Sequence, residues 1–159
     1  MARQRWRPTP RRVNVTQPGA GANFSRVNDS GGLWVIRGLA FTLTTSAAVA
    51  NRVMTLLARA AEDVWFRTSA GGVQVASLTF DYSGWPGSGS PSGTTPVALL
   101  GWPHDGLWLP PGQVIESDVQ AIDAADQISA VVLDVIEYPE TLPTHLTPGP
   151  TTYENEDQE

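Results

Sequence analysis

The residues best equipped for chemistry in this chain are its arginines. Arg3, Arg5, Arg7, Arg11 and Arg12 make up five of the ten basic residues, and no lysine is present. An arginine offers a planar fork of donors that pairs with carboxylate or phosphate and stacks on aromatic rings. Trp6 stands among these five. A cluster of this kind binds by charge and by anchoring. Two partners suit it, nucleic-acid phosphate and an acidic protein surface. The rest of the chain sets five arginines against sixteen acids. That balance repels a polyanion, so it argues against nucleic acid and for a protein partner.

Other chemistry is sparse. His104 and His145 are the only histidines, each in a Pro-rich segment without partners at chelating spacing. His104 beside Asp105 forms half of an acid–base pair, but a turn histidine is the simpler reading. Gly87-Ser88-Gly89-Ser90 has linker composition and not the turn of a nucleophilic serine. Glu116, Asp118, Asp123 and Asp126 cluster without the spacing of a calcium loop, and read as a solvated strand face followed by an Asp-rich turn. Without cysteine, disulfides and thiolate metal sites are excluded. The expectation is a non-enzymatic protein that needs no cofactor. Six tryptophans are many for this length. Trp34 and Trp65 fall within strands and are expected in the core. Trp85, Trp102 and Trp108 flank Gly/Pro loops, where they could stack on sugars, fill a partner's pocket or close the ends of the fold.

These groups need a scaffold, and the patterning makes it all-β. Charged residues are 16% of the chain, while glycine and proline number 15 and 13, so turns abound. Residues 1–32 read as an extended basic arm, because Pro8, Pro10 and Pro18 discourage regular structure. Residues 33–45 alternate with period two, with Arg37 as the one polar break among Leu33, Val35, Leu39, Phe41 and Leu43. Residues 46–61 fit either a helix or a turn followed by a strand at 52–59, and the surrounding strands favour the second. Further strands are expected at 63–68, 73–82, 97–101, 106–109, 113–121 and 127–138, with an exposed loop at 83–96. Residues 139–159 read as an extended acidic tail containing Glu154, Glu156, Asp157 and Glu159. The body, 33–138, is then an antiparallel sandwich of about eight strands, a jelly roll. No apolar run reaches the ~20 residues of a membrane span, and the basic N-terminal segment lacks the apolar run of a secretory signal. A soluble product is expected.

Three stretches carry a family resemblance. Residues 34–52 ending in Ser46-Ala47-Ala48-Val49-Ala50-Asn51-Arg52, then Gly106-Leu107-Trp108-Leu109-Pro110-Pro111-Gly112, then Ala124-Ala125-Asp126-Gln127-Ile128-Ser129, resemble small virion proteins of tailed bacteriophages. Jelly-roll proteins of that kind decorate and cement capsids, often as trimers. The resemblance implies a homotrimer on the virion surface that binds the major capsid protein, and it transfers no catalytic residue. The arms lie outside it. Their proposed capsid contacts, Arg3, Arg5, Trp6, Arg7, Arg11 and Arg12, follow from their own chemistry. Two other readings stay open: a tail, baseplate or portal-vertex component, and a carbohydrate-binding module using Trp85, Trp102 and Trp108.

Overall fold

The computed structural model describes residues 7–86, 88, 93–94 and 97–139. Arg3, Arg5, Trp6, His145 and the acidic residues from Glu140 onward lie outside the described residues. The described residues form an all-β sandwich. Its strands in chain order are β1 (Thr9–Asn14), β2 (Ser25–Val27), β3 (Leu33–Thr44), β4 (Val53–Ala60), β5 (Asp63–Ser69), β6 (Thr79–Gly84), β7 (Gly93–Thr94), β8 (Val97–Leu99), β9 (Leu107–Leu109), β10 (Val114–Gln120) and β11 (Gln127–Tyr138). Sheet A runs β1-β11-β3-β6-β8-β7 with β9 also on β3, and sheet B runs β2-β10-β4-β5.

The pairings show the jelly roll directly. β1 pairs β11, β2 pairs β10, β3 pairs β9 and β4 pairs β5, all antiparallel. These are the rungs of one long hairpin rolled over on itself, which is the eight-stranded jelly roll. β6, β7 and β8 are an insertion between β5 and β9 that widens sheet A, and the β6–β8 pair is parallel.

Two boundaries differ from the sequence expectation. The N-terminal arm does not extend to residue 32, because β1 and β2 are rungs of the roll. Phe24, Val13 and Val15 are buried and belong to the core. Pro10 is no obstacle, because β1 is an edge strand and proline is tolerated there. Asn23 fastens the intervening segment to β10, its side-chain oxygen accepting from the Val119 amide at 2.9 Å. The second difference is at 73–82, where no continuous strand forms. Gln74 makes only an isolated bridge with Arg52. Its buried side chain donates to the carbonyls of Leu43 and Leu78 and accepts from the Tyr82 hydroxyl, so the segment folds back as a loop. Burial pushes the Tyr82 phenol up to about 12.

Bulges set which side chains turn inward. In β3, Trp34 and Ile36 face the core, and so do Leu39, Phe41 and Leu43. The change of parity falls at Arg37, where the register with β11 slips between Asp134 and Val135. In β11 a second slip spans Ala130, whose φ is 53°, and brings Ile128 onto the same side as Val131, Leu133 and Val135. In the core, Phe41 stacks on its cross-strand partner Tyr82 at 5.1 Å and meets the Phe24 ring edge-on at 5.3 Å.

The segment before β4 is a turn, because a buried ion pair fixes it. Arg52 and Asp126 have fully buried side chains, with Nε to Oδ2 at 2.9 Å and Nη2 to Oδ1 at 3.0 Å. Arg52 also donates to the Ala48 and Ala50 carbonyls and to the Ser46 hydroxyl. Asp126 accepts further from the amides of Ser46 and Asp123. Burial pushes the Asp126 carboxyl upward, but the hydrogen bonds from Asp123, Arg52 and Ser46 outweigh it and hold it below its ordinary value. The pair thus locks the turn before β4 to the turn before β11.

Candidate functional site

Cross-strand register lays out the outer face of sheet A in rows. One row runs Pro10, Ile136, Val35, Trp108 across β1, β11, β3 and β9. The next runs Arg12, Asp134, Gly38, and the one after it Asn14, Val132, Ala40, Ser83. The first row is apolar, with Trp108 56% exposed. Val35 is buried even on this outer face. Gly106 lies close against it: a Cβ added there, where φ is +87°, would stand 2.9 Å from Val35 Cγ1.

The second and third rows form the floor of an open depression. One part, about 450 Å³, is lined by Pro10, Arg12, Arg37, Asp134 and Ile136. An adjoining part, about 300 Å³, is lined by Arg37, Gly38, Ala40, Ser83 and Trp85. Both share Arg12, Arg37 and Asp134, so they are one continuous feature. Its floor is low because Gly38, Ala40 and Ser83 are small, and Trp85 rises at one rim, 46% exposed. A Cβ at Gly38 would meet nothing closer than 3.5 Å. Glycine there gives depth and is not demanded by packing.

The electrostatics of this face are open. Arg12 Nε lies 3.5 Å from Asp134 Oδ1, with the two side chains 71% and 62% exposed. A pair that long and that wet is worth little and exchanges partners readily. Arg37 has no carboxylate partner among the described residues. The outer face of sheet B contrasts with it. There Arg59 Nε pairs with Glu116 Oε1 at 2.8 Å, and Thr55 and Ser69 share a hydrogen bond of 2.9 Å.

The residues singled out from the sequence separate accordingly. Arg7 precedes β1 and is exposed. Arg11 is engaged within the molecule, its Nη1 donating to Glu137 Oε2. That hydrogen bond holds the Glu137 carboxyl below its usual range and raises the Arg11 guanidinium. Arg12, Trp85 and Trp108 all lie on the outer face of sheet A, Arg12 and Trp85 lining the depression and Trp108 in the neighbouring apolar row. Trp102 does not join them. It is buried against Phe66, ring centroids 6.2 Å apart, and its Nε1 donates to the Ile36 carbonyl at 3.1 Å. Trp65 was expected in the core and is instead 44% exposed, because it sits at the bulge of edge strand β5. Arg37 and Gly38 complete the site, and alternation alone had marked Arg37 only as a polar break.

The remaining candidates are explained locally. The His104 and Asp105 side chains are about 90% exposed and 3.5 Å apart. Glu116 is paired with Arg59, and Asp126 is the buried partner of Arg52 rather than part of a solvated turn. Asp123 accepts from the Ser46 hydroxyl and the Ala125 amide. Among the described residues, no group of three metal-ligating side chains is gathered and no helix is long and apolar enough to cross a membrane. No protein-family model matches the chain, and neither a curated protein nor a solved structure matches it.

Proposed function

We propose that this chain is a docking protein of the capsid-decoration kind, a non-enzymatic jelly roll that binds the outside of a tailed-bacteriophage shell and stabilises it. The observation that supports the reading most is positional. Trp85, Trp108, Arg12 and Arg37 are exposed on one face, and the chain enters β1 and leaves β11 at the same end of that sheet, because Thr9 pairs with Glu137. The described part of sheet A therefore offers charge and aromatic surface together to a partner. The shell protein supplies carboxylates to the arginines and a pocket to an exposed tryptophan. Whatever binds only the assembled shell stabilises it by mass action, and a trimer of such contacts multiplies a modest affinity.

The test must spare β1. Deleting residues 1–8 removes Arg3, Arg5, Trp6 and Arg7 and leaves Thr9–Asn14 in place. Expected is weaker cosedimentation with purified shells and unchanged thermal unfolding. Undiminished attachment would overturn the role of the arm. A trimer in light scattering, free or shell-bound, is the expected assembly.

A further inference from the structure

We propose that the depression on the outer face of sheet A seats this chain's own acidic segment, residues 151–159. The inference does not depend on the virion reading. Three observations carry it.

The first is charge complementarity. The depression holds Arg37 without a carboxylate partner among the described residues, and Arg12 in a long exposed pair. The segment 151–159 carries Glu154, Glu156, Asp157 and Glu159 and no basic residue. A carboxylate of that segment competes easily with Asp134 for Arg12, since an exposed pair at 3.5 Å contributes little.

The second is shape. Gly38, Ala40 and Ser83 give a low floor that admits an extended peptide, and Trp85 forms a wall beside it. Alternate residues of an extended chain share a side, so Glu154 and Glu156 address the arginines together. Tyr153 adds an aromatic ring whose chemistry suits the exposed indole of Trp85 or the stem of Arg37.

The third is reach. The acidic segment follows from Pro139, just after Tyr138, which lies four residues along β11 from Asp134, about 13 Å at strand spacing. The fifteen residue steps from 139 to 154 span up to ~50 Å when extended. The tether therefore exceeds the distance, and an intramolecular contact benefits from an effective concentration in the millimolar range. A partner surface richer in acid would displace the segment on docking.

The experiment uses the full chain. It has no cysteine, so Gln158→Cys provides one site for a nitroxide spin label. The readouts are the indole N–H signals of Trp85, on the sheet A face, and of Trp65, on edge strand β5 of sheet B. Expected is selective loss of the Trp85 signal, with Trp65 retained. Changing Arg12 and Arg37 to glutamine restores the Trp85 signal. So does neutralising Glu154, Glu156, Asp157 and Glu159 to their amides, which leaves every residue of the folded body unchanged. Equal broadening of both indoles, or of neither, overturns the proposal. Broadening of an unlabelled chain by a spin-labelled one in a mixture also overturns it, since the segment would then bind between molecules.

Discussion

Arg52 donates five hydrogen bonds inside the protein, whereas Arg37 stands on the outer face of sheet A with no carboxylate partner among the described residues. Trp102 and Trp85 differ in the same way: one donates its indole N–H to a backbone carbonyl in the interior, the other rises exposed at the rim of a depression. Residue type does not separate members of either pair. What separates them is whether the surrounding backbone offers partners and whether water is excluded. A buried guanidinium with every donor engaged specifies the fold. An exposed one beside small residues and an indole is available to something else.

The sharpest way to break this comparison is at its buried member. Arg52→Met leaves Asp126 buried and without its guanidinium, and should cost about 3–5 kcal/mol in urea unfolding. If it costs no more than a surface change, the interior pair does not hold the two turns together. Next in size is Gly84→Ala. A Cβ there would meet Trp102 Cε3 at 2.7 Å, closer than real Cβ atoms approach. Overpacking of that kind costs about 1–3 kcal/mol, and the Trp102 near-ultraviolet dichroism should change with it.

Titration sharpens the comparison further. The Asp126 and Glu137 carboxyls both lie below their ordinary values in the folded protein. Their contributions are complete above the unfolded value, about 4, and are lost as pH falls through the folded values. The urea midpoint should therefore change little from these groups at neutral pH and drop in acid. Glu137→Gln should reduce that drop without altering the neutral baseline by more than about 1 kcal/mol. An acid limb unchanged by Glu137→Gln would mean that the Arg11 pair does not fasten β1 to β11.

The smallest stability effects belong to the open face. Arg37→Gln and Gly38→Thr should each stay within about 0.5 kcal/mol of the parent in urea unfolding. The threonine fills the depression, so Gly38→Thr should weaken shell attachment although the fold is intact. Unweakened attachment would place the partner elsewhere.

Much of this was legible in the chain itself. Alternation in residues 33–45 and the apolar run on both faces of 127–138 mark the two long strands of sheet A, and the turn before β4 follows from its strand-rich surroundings. The bulges were not legible, because their cost and placement depend on the neighbouring strand. Arg37 therefore read as a break in a stripe, although it is where the stripe changes parity and where the site begins. β1 was hidden by its prolines and arginines, which suit an edge strand as well as a free arm. Asp126 read as part of a polar turn because its partner lies seventy-four residues away. Trp102 and Trp85 share Gly/Pro-rich surroundings in the sequence, and it is the tertiary packing of Trp102 against Gly84 and Phe66 that tells the two roles apart.

The central claim is that the outer face of sheet A is the docking surface. A cryo-EM map of the assembled particle that copurifies with the chain tests it most directly. The account predicts many copies on the outside of the shell, with Arg12, Arg37, Trp85 and Trp108 turned toward the capsid subunits. A few copies at the tail or one vertex, or a sheet A face turned to solvent, would contradict it.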